Sequence, residues 1–172
     1  MLDELQNIFR GDKPMNGKMS HWYSIGLIIL VGLIAYGGAL STPSLFGDDW
    51  YFMIKNGAEG NQACPDWDNF RPLANCWFAL QYQLFGLNVT AFHAMGIVVS
   101  LAMAVVLYFI LDGLLPNWRL FNLVVSLLFL VYPTVYMKNW ITGSNVQVPL
   151  LIFLSSCLLL VRFYNQGSWW FW

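Results

Sequence analysis

The sequence predicts an all-α membrane protein, with about four transmembrane helices and one interfacial amphipathic helix after the first external loop. Three observations lead there. The chain is 58% hydrophobic, 17% aromatic and 10% charged, whereas an ordinary soluble domain carries about 25% charged residues. Charged residues are missing from two long runs, one between Lys18 and Asp48 and one from Pro72 to Leu111. Asn, Asp, Gly and Pro are instead concentrated between those runs, in GAEGNQACPDWDN, a composition that forms irregular structure. A net charge of -1 offers no basic footprint, which argues against nucleic acid as a partner.

Residues 1–22 read as a cytoplasmic N-terminal segment carrying Arg10, Lys13 and Lys18. Leu2, Leu5, Ile8 and Phe9 give it an amphipathic start suited to a membrane surface. No small-residue cleavage site follows the first apolar run cleanly, so a secretory signal is not expected. The first span is expected from Trp22 to about Ala39, close to the roughly 20 residues that crossing needs. Gly26, Gly32, Gly37 and Gly38 would let another helix approach it closely. Pro43 ends it.

Residues 46–70 form the first external loop, opening on FGDDWYF. Trp50, Tyr51, Phe52 and Trp67 suit the headgroup level. The following uncharged run is too long for one crossing, and Phe85-Gly86-Leu87-Asn88 supplies the break. Before it, Leu73, Trp77, Leu80 and Leu84 recur at helical spacing among Asn75, Gln81 and Gln83. Pro72 fits a first helical turn. The pattern predicts an amphipathic helix over 72–85 lying in the interface plane.

The second span is expected over 89–111, with Gly96, Ser100 and Ala104 forming a small-residue seam. A turn follows at Asp112, Gly113, Pro116 and Asn117. The third span covers 119–137, and KNWITGSN makes a short outer loop. The fourth covers 146–163, with Pro149 in its first turn. Residues 164–172 form an aromatic interfacial tail that ends in Trp169, Trp170, Phe171 and Trp172. Lys and Arg placement sets orientation. With the N-terminus inside, Arg10, Lys13, Lys18, Arg119 and Arg162 are cytoplasmic, against Lys55, Arg71 and Lys138 outside. This puts the protein in the plasma (inner) membrane with its acidic loop on the non-cytoplasmic face.

The cysteines have no zinc-type spacing. Cys64 and Cys76 share the external region, where a disulfide persists if formed; two free thiols are the other reading. Cys157, in an apolar run, reads as a packing residue.

FGDDWYF, RPL, FGLNVTAFH and the Tyr-Pro then Trp-x-x-Gly loop resemble the N-terminal part of GT-C-type membrane glycosyltransferases. The similarity is to protein-mannosyltransferase-like enzymes that use polyprenyl-phosphate sugars, and it runs over about 23–163. It implies a GT-C-like module there, with Asp48 as catalytic base and Asp49 as its paired acid. Arg71-Pro72-Leu73 match the start of the family's interfacial helix, and His93 matches a histidine that opens the second span.

The sequence departs from that pattern in three places. Ser100 stands where the family often repeats a histidine. The second external loop has Ser144, Asn145 and Gln147 but no acid, so no metal site and no certain cofactor are implied. Family members are also several times longer, which implies a fragment or a reduced relative whose activity is in question.

The expected chemistry is transfer of a sugar from a polyprenyl-phosphate lipid to an external hydroxyl. A carboxylate takes the acceptor proton, and Arg or Lys stabilises the departing phosphate. Direct attack through a single base inverts the sugar's configuration. Arg71, His93 and Lys138 are the candidates for contact with the lipid phosphate. Each candidate has a plainer reading. Asp48-Asp49 could be a solvated turn or a helix cap. Arg71 could pair with Asp66 or Asp68. His93 could be a hydrogen-bonded structural histidine, and Lys138 a boundary anchor. Asn88-Val89-Thr90 fits a glycosylation sequon but lies close to the second span. The alternative function is a non-catalytic integral membrane subunit that packs against other membrane subunits. A transporter piece fits less well, because no charge falls within an expected span.

Overall fold

The computed structural model describes residues 20–41, 44–45, 49–51, 72–132 and 144–166. Every regular element among them is a helix. Helix α1 (His21–Tyr36) opens on Ser20, whose hydroxyl accepts from the Trp22 amide at 3.4 Å. That contact satisfies one of the donors a helix start leaves orphaned. After Gly37 the short α2 (Gly38–Ser41) follows. Helix α3 (Pro72–Phe85) fills the range expected for the amphipathic helix. It stops at Gly86, whose φ of 57° lies in the left-handed region that glycine enters without penalty.

Helix α4 (Val89–Leu114) is capped by Asn88, which accepts from the Ala91 amide at 3.2 Å. The sequon asparagine thus serves as a helix cap. The helix ends before Leu115-Pro116, since the residue preceding a proline is driven out of the helical region. It therefore runs past the expected limit at 111 and carries Asp112 in its last turn rather than in a loop.

Helix α5 (Arg119–Val131) is shorter than the expected 119–137 span. Tyr132 leaves the helix with ψ 124°, as a residue before proline must; residues 133–143 lie outside the described residues. Helix α6 (Ser144–Gln166) reaches further at both ends than expected. Pro149 consequently falls inside it, where its ring cannot donate to the carbonyl four residues back. The tail assigned to 164–172 is helical up to Gln166.

Among the described residues, two helices are long and apolar enough to cross a membrane, Val89–Leu114 within α4 and Val146–Asn165 within α6. The other two expected spans are apolar but shorter. At 1.5 Å per residue, α1 is about 24 Å long and α5 about 20 Å, against a hydrocarbon core of roughly 30 Å. A count of four is not reached on helix length.

Helix α4 is the centre, packed against every other helix. Its N-terminal end is termed the upper end here. His21 meets Tyr108, and Tyr36 meets Leu130, so α1 and α5 both run upward beside the descending α4. Asn165 donates to the Gly113 carbonyl at 2.8 Å, so α6 descends alongside α4. Ile28, Ala104, Tyr108, Leu123 and Leu130 form the core where α1, α4 and α5 meet.

Helix α3 packs against both α6 and the upper end of α4. Phe78, Tyr82 and Phe85 gather with Phe92 and Val89 in the first turn of α4, and the rings of Phe85 and Phe92 meet edge to face.

The Tyr36 hydroxyl donates to the carbonyl of Leu130 in the last turn of α5. Helix ends leave such carbonyls without an internal partner. Tyr36→Phe is expected to cost about 1 kcal/mol, read as a lower unfolding midpoint in mild detergent with the helix content unchanged.

Candidate functional site

Of the sequence candidates, Asp49 and His93 are among the described residues, and His93 stands at the upper end of α4. His93 lies in the first turns of α4 and is 6% exposed. Its Nε2 is 2.9 Å from the carbonyl oxygen of Ser44. A carbonyl only accepts, so Nε2 carries a proton and donates it. Leu45, the next residue, packs against the Phe78–Phe92 cluster. Histidine and cluster together pin the chain that leads from α1 to the acid pair.

Residues 49–51 are helical. Trp50 and Tyr51 are exposed, while Asp49 is fully buried. Asp48, Arg71 and Lys138 lie outside the described residues, as do Cys64 and the aromatics Tyr136 and Trp140. The structure therefore brings His93 to the segment bearing the acid pair. Among the described residues it groups no set of three or more metal-ligating side chains.

Cys76 on α3 is disulfide-bonded, and Cys157 on α6 is a free thiol. Of the two readings for Cys76, the bonded one holds. Cys157 is half-buried, in keeping with a packing role.

The sequence reading missed other polar residues. On α3, Trp77 and Gln81 stand one turn apart; Gln81 is 2% exposed. Gln147, 5% exposed, sits near the start of α6. The spacing had marked Gln81 only as the polar side of an amphipathic helix, and Gln147 only as a loop residue.

A second polar cluster lies at the lower end. His21 Nδ1 is 3.2 Å from the Tyr108 hydroxyl. His21 Nε2 and Arg119 Nε stand 4.0 and 3.7 Å from the two carboxylate oxygens of Asp112. Both separations are beyond hydrogen-bond distance, and that of Arg119 from Asp112 is an ion pair. An acid at a helix C-terminus is opposed by the helix dipole, and the Arg119 charge offsets that. The only prior signal was the i, i+4 spacing of Tyr108 and Asp112, which does not say what faces it.

His93→Leu is expected to remove the tether while keeping the packing volume. Amide hydrogen exchange over 44–51 should accelerate about tenfold, the equivalent of one lost hydrogen bond. Exchange in the middle of α4 should stay as it is.

No family model matches the chain, and neither a curated protein nor a solved structure matches it.

Proposed function

We propose that the chain is the N-terminal module of a GT-C-type membrane glycosyltransferase, one that moves a sugar from a polyprenyl phosphate to an external hydroxyl. The observation that carries this reading is the His93–Ser44 tether. It holds the chain just ahead of the acid pair against the upper end of α4, where Leu45 packs with Phe78 of α3. A lipid-borne donor must reach its site laterally at the membrane surface, and this arrangement supports such access.

Several observations support the membrane setting and its orientation. Leu27, Leu30, Ile34, Val98, Leu128, Phe153, Leu159 and Leu160 are exposed, far more apolar surface than a soluble monomer tolerates. The disulfide at Cys76 supports an oxidising compartment at the upper end. Arg119 and Arg162 lie toward the lower end, as the excess of Lys and Arg on cytoplasmic loops leads one to expect. In this reading the segment bearing the acid pair lies on the outer side of the membrane, and Asp48 is the base.

The test is reconstitution of the full chain in liposomes containing a polyprenyl-phosphate sugar. Transfer of labelled sugar to an external hydroxyl acceptor supports the reading when Asp48→Asn silences it. Transfer that survives Asp48→Asn overturns the base assignment, and no transfer to any acceptor overturns the reading.

A second reading is favoured by α6. Only 6% of its apolar window is buried within the chain, against 39% for α4. That face suits a companion membrane protein as well as lipid. Isolation in mild detergent discriminates between them: a stoichiometric complex supports a non-catalytic subunit, and a stable monomer argues against it.

A further inference from the structure

We infer that the lower end of the bundle binds the headgroups of anionic phospholipids through Arg162, which stands in a collar of exposed aromatic rings. The inference rests on the membrane setting proposed above and not on sugar transfer. It starts from where the charges lie. Helices α1 to α6 contain three residues of Asp, Glu, Lys or Arg type, namely Asp112, Arg119 and Arg162. Contacts put all three at one level. Arg119 pairs with Asp112 at 3.7 Å. Arg162 falls between two residues that meet Gly113: a Cβ added at Gly113 would lie 2.7 Å from Val161, and Asn165 reaches the Gly113 carbonyl.

Charged side chains are costly in hydrocarbon, so that level marks the lower edge of the apolar layer. From Asp112 up to His93, at 1.5 Å per residue, α4 rises about 28 Å, against a hydrocarbon core of roughly 30 Å. The two ends where polar contacts collect, His93 with Ser44 above and Asp112 with Arg119 below, thus stand one bilayer core apart.

The lower level also carries the aromatic collar. Trp22 follows His21, which stands 4.0 Å from Asp112. Trp118 precedes Arg119, and Tyr164 precedes Asn165. Trp22, Tyr23 and Tyr164 are each more than three-quarters exposed, and Trp118 is 43% exposed. Such rings settle at headgroup level, one side apolar and the other wet. Helices α1 and α5 pack on α4 and on each other, whereas α6 packs on α4 and α3. The rings are therefore spread around the bundle, which fits a surface of headgroups better than a single docked protein.

The charge of the lipid follows from Arg162. Arg119 offsets Asp112, while Arg162 is exposed and has no ion pair among the described residues. A guanidinium binds phosphate oxygens in pairs. A zwitterionic headgroup brings its own ammonium to the same place, and an anionic one does not. One cation near the membrane surface is worth about fivefold in preference.

The test uses the full chain carrying Cys157→Ala and Leu159→Cys, reconstituted in phosphatidylcholine vesicles. Leu159 is exposed and lies one turn above Arg162 on the same face. A bimane on the introduced thiol is quenched by lipids with a nitroxide near the start of the acyl chain, and Cys157→Ala alone is the blank. Labelled phosphatidylglycerol is expected to quench at about one-fifth of the mole fraction that labelled phosphatidylcholine needs. Adding Arg162→Gln should make the two lipids equivalent, and Arg162→Lys should keep the preference, since charge carries it.

Equal quenching by both lipids before Arg162 is changed overturns the inference. So does a preference that survives Arg162→Gln or is lost in Arg162→Lys. Displacement of the labelled lipid by inorganic phosphate overturns the lipid in favour of a free-phosphate site. A lower unfolding midpoint for Arg162→Gln in detergent makes the arginine structural and overturns it as well. A chain that alkaline carbonate strips from the vesicles overturns the membrane setting, whereas one that stays inserted without lipid preference overturns this inference alone.

Discussion

Replacing Asp48 with asparagine is expected to lower sugar transfer by roughly 10²–10⁴-fold, the range a positioned general base contributes. Asparagine keeps the shape of the side chain but cannot take the acceptor proton at neutral pH. The unfolding midpoint should not move, because asparagine is close to aspartate in size and keeps an oxygen acceptor. The neighbouring acid should behave in the opposite way. Asp49 is fully buried and takes part in a polar or electrostatic contact. Asp49→Ala removes that contact and leaves its counterpart unsatisfied, a cost of about 1–3 kcal/mol. Transfer then falls with the folded fraction rather than through the chemical step. Measured side by side, rate and midpoint separate the two roles: Asp48→Asn moves only the first, and Asp49→Ala moves the second.

That division between neighbours was not legible in the sequence. Adjacent aspartates carry the same composition signal, and nothing in it says that Asp49, in the helical turn at 49–51, is buried. The helix over 72–85 was legible because local chemistry sets both of its ends, Pro72 at the start and Gly86 after the last turn. The truncated α5 was legible in principle. Pro133 bars the residue before it from continuing the helix, a local rule that an apolar-run argument overrode. The lower cluster could not be read from one dimension. His21, Asp112 and Arg119 come from three helices, and their meeting depends on how α1 and α5 register against α4. Gln81 and Gln147 have the same origin, since each is an ordinary amide until the helices pack and bury it. Local punctuation thus set the elements, whereas the burial of these polar residues depends on how the helices meet.

Replacing Gly32 with leucine is expected to destabilise the bundle by about 3 kcal/mol, with alanine at the same place close to neutral. Gly32 lies on the buried face of α1, where α4 and α5 converge. A Cβ built there would stand 2.4 Å from one methyl of Leu101 and 3.2 Å from a methyl of Leu130. The Leu101 contact is the far end of a flexible side chain that is only partly buried, so it can swing away. Alanine also gains about 1 kcal/mol of helix propensity over glycine, which offsets the displacement. Leucine adds three further carbons, and Leu130 is fully buried with no room to retreat. Over-packing of this kind costs about 1–3 kcal/mol and at times more. The damage should also reach the upper end. Tyr36, one turn above Gly32 on α1, holds the Leu130 carbonyl, so wedging α1 from α5 breaks that contact as well. The pair of midpoints in detergent, Gly32→Ala against Gly32→Leu, is the measurement. Equal losses in both variants would mean that the helix backbones themselves cannot separate by the width of one methyl, and that Leu101 is not the yielding partner.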